Sequence, residues 1–450
     1  MKKKWIFIAI GFIVAILLLL PFFYSIIPLK SHLLKKIGAK FDVEVSAERV
    51  HLSWFGPQVF RNIAIKSQNL EGSVAEFRAF VPFWSLKHMG RRFDLEGGSF
   101  QTLTPRAELT DVSVFFDAPQ IRANGKAKEG NQNGQFSVSG NAASEITDFT
   151  FTATQIPTLF ADHLIGAKGM LAAAVGARFD CDGSGKFDRN EKGSFDCELR
   201  GTSSQGSISA AFTHESVTLR KPLKFSFQLT PELSRSLLKD ANPLFLSAIA
   251  SKTPISLQIW DRAFAFKRPF SLASLRIAHG QLDLGQVQIQ NGPTLAALIK
   301  LLKNDRVANL KTMNAWFAPL DFSLLHGTMK ADRMDFLLAD SIHLATWGSI
   351  DLISGQLATT IGIPGDLLRS TFGIQNLPSN YMLTIPIQGT LAAPEVSTSA
   401  ASAKIAALLA SQTIPKKAGP IGKAFTLIAP PVTDESKDVP AAKRPFPWEK

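Results

Sequence analysis

The sequence predicts a mainly β protein: a long, curled and twisted antiparallel sheet that forms an apolar groove, with few short helices and one N-terminal transmembrane helix. Three observations predict it. Apolar and polar residues alternate with a period of two through most of the chain from about residue 41 to 398. Gly, Asn and Asp punctuate that alternation every ~8–12 residues, the spacing of antiparallel meanders. The chain opens with MKKKWIFIAIGFIVAILLLLPFFYSIIPLK, which after three lysines carries no charge from Trp5 to Leu29.

That apolar run exceeds the ~20 residues that span a bilayer. It is too long for the core of a signal peptide, and no A-x-A-like cleavage site follows it. Residues 5–29 therefore read as an uncleaved transmembrane anchor, with residues 1–4 as a cytoplasmic stub. Lys30, Lys35, Lys36 and Lys40 lie just beyond the span. A long domain is exported despite such charges, so the body is expected on the far side. SHLLKKIGAK reads as a short amphipathic helix ending at Gly38, its lysines placed to meet anionic headgroups.

Alternation then takes over. In FDVEVSAERVHLSW the apolar positions are Phe41, Val43 and Val45, then Val50, Leu52 and Trp54. The pattern returns in GQFSVSG, TDFTFTAT, ESVTLRKPLKFSFQLT, TPISLQIW, GQLDLGQVQIQ and SIHLATWGSIDLISGQLATTIGI. An open sheet of this length twists, coils or closes rather than staying flat. With few helices to cover it, its apolar face is expected to curl inward.

Helices interrupt at a few places. TPELSRSLLKD places Thr230 as N-cap and Pro231 at the first helical position. GPTLAALIKLLKND, residues 292–305, is apolar at helical spacing. GIPGDLLRSTFG places Asp366 and Arg369 at a solvated helix start. Residues 399–414 read as an amphipathic helix. From 415 to 450 the chain is rich in Pro and Lys, which predicts a flexible tail. The single β body is thus bounded at 30–398.

Composition narrows the function classes. There are 34 Phe but only 2 Tyr, which suggests apolar surface without phenol hydroxyls. The net charge of +12 suits an anionic membrane surface. No recognition helix, zinc spacing or basic–aromatic strip argues for nucleic acid as a partner. The eight His are dispersed, and no nucleophile elbow, phosphate loop or dinucleotide fingerprint occurs. No catalytic residue, metal or cofactor is therefore expected, and the chain is not read as an enzyme.

One stretch invites a competing reading. DCDGSGKFDRNE puts Asp180, Asp182, Ser184, Gly185, Asp188 and Glu191 on the ligand and turn positions of a calcium loop. Such a loop needs a helix on each side, whereas the departing KGSFDCELRG alternates. A β-hairpin is the stronger expectation, folded about Arg189, with Phe179 facing Leu199 and Cys181 facing Cys197. These are the only cysteines, and on one face they form a disulfide candidate. A calcium-stabilised surface protein remains an alternative.

The C-terminal third carries a pattern. A glycine turn at Gly327 precedes a strand pair around Met334 to Leu344. The sequence G-x-I-D-L follows at Gly348 to Leu352. An apolar strand with Ile385 and Ile387 leads into G-T-L-x-x-P at Gly389, Thr390, Leu391 and Pro394. Together with the N-terminal anchor, the helix ending at Gly38 and VEVSAERVHLSWFGPQVFRNIAI, this resembles the AsmA-like family of bacterial envelope proteins, of the bridge-like lipid-transfer type. The two ends cover about 150 residues, and the middle is similar in style only.

The resemblance implies a single-pass protein of the bacterial inner membrane with its body in the periplasm. It implies a phospholipid or other lipid as partner, and a role in phospholipid transport or outer-membrane homeostasis. This chain is short for the family, which points to a local role or a multimer rather than a bridge. A groove of Phe, Leu, Ile and Val solvates acyl chains at about 0.8 kcal/mol per buried CH2. The lining candidates are Phe136 and Val138, Phe149 and Phe151, Phe225 and Phe227, and Leu282 and Leu284. Ordinary core packing gives the same alternation. A scaffold or assembly factor for other envelope proteins, without lipid cargo, is the alternative function.

Overall fold

A computed structural model of the chain describes residues 34–35, 43–413 and 439–449, apart from 68–69, 86–90, 104–105, 143–145, 166–168, 189, 237–244, 246, 269–270, 376, 379 and 392. The anchor expected at 5–29 lies outside the described residues. Among those described, no helix is long and apolar enough to cross a membrane. The fold is mainly β and antiparallel, as the alternation predicts. The chain divides into two compact units, Met1–Thr202 and Ser203–Lys450, where a single body was expected.

Among its described residues the first unit is a meander of ten strands. Its strands are β1 (Glu44–His51), β2 (Gln58–Lys66), β3 (Leu70–Ala79), β4 (Arg92–Leu103), β5 (Arg106–Asp117), β6 (Gln120–Glu129), β7 (Gln132–Ala142), β8 (Ile146–Pro157), β9 (Arg178–Asp188) and β10 (Gly193–Gly201). Each pairs antiparallel with the next. The polar face carries cross-strand ion pairs, among them Arg61–Glu76 at 2.8 Å, Lys66–Glu71 at 2.9 Å and Arg200–Asp182 at 2.9 Å. Exposed pairs of this kind are screened by solvent and add little stability, but they fix which face points to water.

The apolar face changes parity in the middle of the early strands. It runs Ala47 then Val50 in β1, Phe60 then Ile63 in β2, Val74 then Phe77 in β3, and Leu95 then Gly98 in β4. These skips lie side by side: Ala47 pairs Ile63, Ile63 pairs Val74 and Val74 pairs Gly98. In β5 the skip falls between Leu109 and Val112, and the ladder to β6 shifts register there. Asn62, Gly97 and Asp111 supply the left-handed residues, with φ of 51°, 62° and 54°. Asn, Asp and Gly are the residue types that enter this region at least cost. An aligned row of extra residues bends the strands and increases their twist without turning an apolar side chain to water.

A second device recurs on the same face. Gly72 pairs with Phe100, Gly125 with Phe136, Gly183 with Phe151 and Gly185 with Phe149. A Cβ built on any of these glycines would meet the paired ring at less than 3.0 Å. The ring lies across the neighbouring strand and covers its bare Cα. Among the described residues the unit also holds helices α1 (Thr158–Ile165) and α2 (Met170–Val175). Phe160 of α1 packs with Ala107, Ala127 and Ile156. Asp162, buried, accepts hydrogen bonds from the Leu171 and Ala172 amides at 3.1 and 2.7 Å, and so caps the start of α2.

The second unit branches. Its strands are β11 (Ser204–Phe212), β12 (Ser216–Leu219), β13 (Leu223–Phe227), β14 (Ala248–Ser251), β15 (Ile255–Ile259), β16 (Phe264–Lys267), β17 (Arg276–Asp283), β18 (Gln286–Gln290), β19 (Thr312–Phe317), β20 (Leu320–Leu325), β21 (Thr328–Leu338), β22 (Ile342–Asp351), β23 (Leu357–Pro364), β24 (Met382–Thr390) and β25 (Ala393–Val396). The long strand β21 pairs with β20 through its first half and with β19 through its last residues. One branch continues from β20 through β17 to β15 and β16, and on to β13, β12 and β11. The other runs from β19 through β18 to β14. On its far side β21 leads through β22, β23 and β24 to β25.

Apolar contacts fill this unit. Phe317 stacks on Phe336 at 5.5 Å and meets Phe245 edge-on at 5.4 Å, all three fully buried. The helices are α3 (Pro231–Ser236), α4 (Pro293–Leu301), α5 (Asp305–Ala308), α6 (Gly365–Phe372) and α7 (Thr398–Thr413). The predicted cap at Thr230 is present: its Oγ1 accepts from the Leu233 amide at 3.2 Å. The stretch read as one helix over 292–305 is two, α4 and α5. Lys303, at a φ of 55°, turns the chain between them, and Asn304 caps the second. Asp366 and Arg369 form the expected exposed pair in α6 at 3.0 Å.

The tail expectation is corrected at its end. Residues 439–449, read as part of a flexible 415–450, pack on the second unit, with Phe446 only 2% exposed. Residues 414–438 lie outside those described.

A prediction follows from the glycine–phenylalanine pairs. Gly185→Ala puts a methyl group into the Phe149 ring and is expected to destabilise the chain by about 1–3 kcal/mol in denaturant melts. In a double-mutant cycle with Phe149→Ala the cost of the double substitution should fall well short of the sum of the two single costs, because the clash disappears with the ring. Additive costs would show that the pairing carries no energy.

Candidate functional site

The lining candidates of the first unit come together. Val138 pairs with Phe151 and Gly140 with Phe149, while Phe136 pairs with Ala153, so all four side chains share one face of β7 and β8. They are half-buried, while Gln135, Ser137, Ser139, Thr150 and Thr152 on the other face are exposed. Phe149 contacts Phe151 at 6.3 Å and Phe187 of β9 at 6.1 Å, and Phe187 is 40% exposed. Toward β2 the face continues as a ladder of rings: Phe116 on Phe93 at 5.4 Å, Phe93 on Phe77 at 5.5 Å and Phe77 on Phe60 at 5.9 Å.

Cover is uneven along this face. Helix α1 packs on β5, β6 and β8 at the level of Ala107, Ala127 and Ile156, and Phe136 leans on that cluster. The β1–β4 end has its own buried cluster of Leu34, Ala47, Val50, Leu52, Phe60, Ile63 and Val74. Val138, Phe149, Phe151 and Phe187 belong to neither. The arrangement is a smooth apolar shelf with a sealed end under α1.

The candidates of the second unit fare differently. Phe227, Leu282 and Leu284 are 2%, 5% and 1% exposed, which makes them core residues rather than groove lining. Leu282 pairs with Leu257 on one neighbouring strand and with Leu320, itself fully buried, on the other. Phe225 is half-buried, its ring over Gly206, its partner on β11.

The calcium-loop stretch is a hairpin strand. Asp180, Asp182 and Asp188 lie along β9, so the first and last are about 26 Å apart at roughly 3.3 Å per residue. Their carboxylates cannot converge on one ion. Each has other work: Asp180 accepts from the Gln155 amide at 2.6 Å, Asp182 pairs with Arg200, and Asp188 holds the turn by accepting from the Asn190 and Lys192 amides at 2.8 and 2.9 Å. Among the described residues no group of His, Cys, Asp and Glu is placed to hold a metal.

The expected register of this hairpin is off by two. Cys181 pairs with Leu199 and Cys197 with Gly183, because the turn is centred on Asn190 and not Arg189. Both cysteines still point to the same face, and the two thiol sulfurs lie 2.8 Å apart on the diagonal. The hydrogen bond between them, reinforced by burial, pushes the Cys181 thiol far up, and the same bond holds Cys197 below its ordinary value.

A buried ionic cluster sits on the second unit. Asp335, 1% exposed, receives Arg333 through two bonds, Nη2 at 2.7 Å and Nε at 2.9 Å, and His343 Nε2 lies 3.0 Å from the same carboxylate. The outward polar alternation of β21 reads as a solvated face, so sequence reasoning missed this cluster. No family model matches the chain, and neither does any curated protein or solved structure.

Two expectations are testable here. Digestion of the unreduced chain after exposure to a disulfide donor should yield Cys181 and Cys197 in one linked fragment pair; two freely alkylated thiols would contradict that. For Asp335, burial alone would raise the carboxyl, but the bonds from His343 and Arg333 outweigh it and hold it below the ordinary range. Its contribution to stability is complete above the unfolded value near 3.9 and is lost as pH falls through the depressed folded value. The stability gap between the native chain and Asp335→Asn should therefore be widest near neutrality and narrow only in strong acid. A gap independent of pH would sink this assignment.

Proposed function

We propose that the chain is a membrane-anchored envelope protein that holds or conducts lipid acyl chains against the apolar face of its first unit, contributing to phospholipid transport or outer-membrane homeostasis. One observation carries the reading: Val138, Phe149, Phe151 and Phe187 form a low-relief apolar surface that is neither solvated polar sheet nor closed core. Rings laid flat over glycines give such a shelf little depth of its own. An acyl chain lying along it would exclude water from both surfaces at about 0.8 kcal/mol per CH2. No catalytic group, cofactor or nucleic acid enters this reading. The resemblance to AsmA-like proteins supplies the rest: residues 5–29 in the bacterial inner membrane, the body in the periplasm, and a lipid as cargo.

The second unit favours a different share of the work. Its sealed core at Phe227, Leu282 and Leu284 leaves no lipid shelf at those positions, and its surface holds a docked segment. That suits the alternative, a scaffold for other envelope proteins, as the role of this unit within the same chain.

The test uses the full chain carrying a photoreactive phenylalanine analogue. Placed at Phe149 or Phe151, it should cross-link to phospholipid during expression in a bacterial envelope, and at Leu284 it should not. Extracted lipid from the purified native chain should exceed that from Phe151→Asp. Equal labelling at 151 and 284, with no lipid in the extract, would refute the proposal.

A further inference from the structure

The strand β21 is buried on both faces at its centre: Met334, Asp335 and Phe336 are each no more than 1% exposed. Met334 and Phe336 face the core. Asp335, on the other side, lies in a cluster of polar groups that residues 439–449 complete. Arg333 Nη1 donates to the Pro440 carbonyl at 3.0 Å. Lys443 Nζ bonds to Asp321 and lies 3.5 Å from Asp332. The His343 ring meets Phe446 edge-on at 5.0 Å and Trp448 at 5.6 Å, and those two rings stack on each other at 4.9 Å. Within the segment, Arg444 sits over the Phe446 ring at 5.1 Å, and Glu449 accepts from the Phe446 amide at 2.9 Å.

The body's half of this contact is built to be completed. Asp321 also takes Gln281 Nε2 at 2.8 Å, but His279 is 3.7 Å away, and Lys443 is the cation in contact with its carboxylate. Arg333 has two of its nitrogens on Asp335 and turns the third toward a backbone carbonyl. A register shift between Ala331 and Met334 marks a bulge in β21 at Asp332 and Arg333. In a chain of net charge +12, carboxylates on neighbouring strands make a local acidic patch that matches Lys443. An aromatic anchor ringed by charge-assisted bonds is the anatomy of a peptide-recognition site.

We propose that the outer surface of β20, β21 and β22 is a peptide-docking site. Its ligand class is a basic segment with proline-flanked aromatics, Lys-Arg-Pro-Phe-Pro-Trp, and residues 443–448 of the chain itself are the resident copy. Phe446 is the anchor, Lys443 reads the acidic patch, and Arg333 reads the backbone.

The experiment keeps the full chain. With a photoreactive phenylalanine analogue at Trp448, irradiation should cross-link the segment to β21 and β22, mapped by mass spectrometry. Excess synthetic peptide of residues 439–449 should lower the yield by competition, and the same peptide with Phe446→Ala should be roughly tenfold weaker, as expected for loss of a buried aromatic anchor. Asp321→Lys should weaken the cross-link and Lys443→Asp in the same chain should restore it, which separates docking from misfolding. Cross-links to those strands of a second, differently tagged copy support the site with the segment donated in trans. Cross-links elsewhere, or a yield that excess peptide leaves unchanged, would overturn the proposal.

Discussion

The pairing of a phenylalanine ring with a glycine on the next strand is the constraint on which the rest of the sheet depends. A strand glycine is costly by itself, about 0.5–1 kcal/mol relative to alanine. Here the ring of Phe100, Phe136, Phe149 or Phe151 covers the exposed backbone, and only a residue without a Cβ admits it at that distance. The same pair recurs in the second unit as Gly206 with Phe225 and Gly280 with Phe322. These six pairs draw on a composition with 34 Phe, 31 Gly and 2 Tyr. A ring that lies flat on an apolar face has nowhere to direct a hydroxyl. It also leaves the face shallow, and this allows a wide sheet to present apolar surface without deep side-chain ridges.

Much of this was legible in the sequence. Alternation placed the strands because side chains on successive residues must point to opposite faces, and the parity change from Val45 to Val50 was already visible in VEVSAERVHL. Its cause was not. A skipped residue reads as noise in one strand; only the ladder shows that Ala47–Val50, Phe60–Ile63 and Val74–Phe77 align as one bent row. The two-residue error at Cys181 and Cys197 has the same origin. A turn held by Asp188, with Glu191 at a φ of 58°, has its centre one residue further on than symmetry about Arg189 suggests. Because the side-chain period is two, a shift of two keeps both sulfurs on one face. The predicted face survived although the predicted partners did not.

The calcium-loop match failed for a related reason. Ligand spacing in a loop and charge spacing on a strand use the same residues at alternate positions. Curvature of the backbone decides between them, and alternating Phe179, Cys181, Leu199 and their neighbours hold this backbone extended.

What alternation could not supply is cover. Phe149 and Leu282 have the same local pattern, yet one lies on an open shelf and the other in a sealed core. The difference lies beyond the local pattern: α1 reaches only one end of the first sheet, whereas the strands around Leu282 belong to a buried core. Polar residues show the same dependence on distant cover. Asp335 alternates as a solvated carboxylate should, and a segment about a hundred residues later touches both of its partners, Arg333 and His343. A buried carboxylate survives only with its partners in place, so Arg333 and His343 are required by that cover rather than by the strand. Burying an ion pair gains little stability over an apolar contact. At β21 the directional bonds of Arg333 to Pro440 and of Lys443 to Asp321 give the docked segment defined partners, which a featureless apolar surface would not supply.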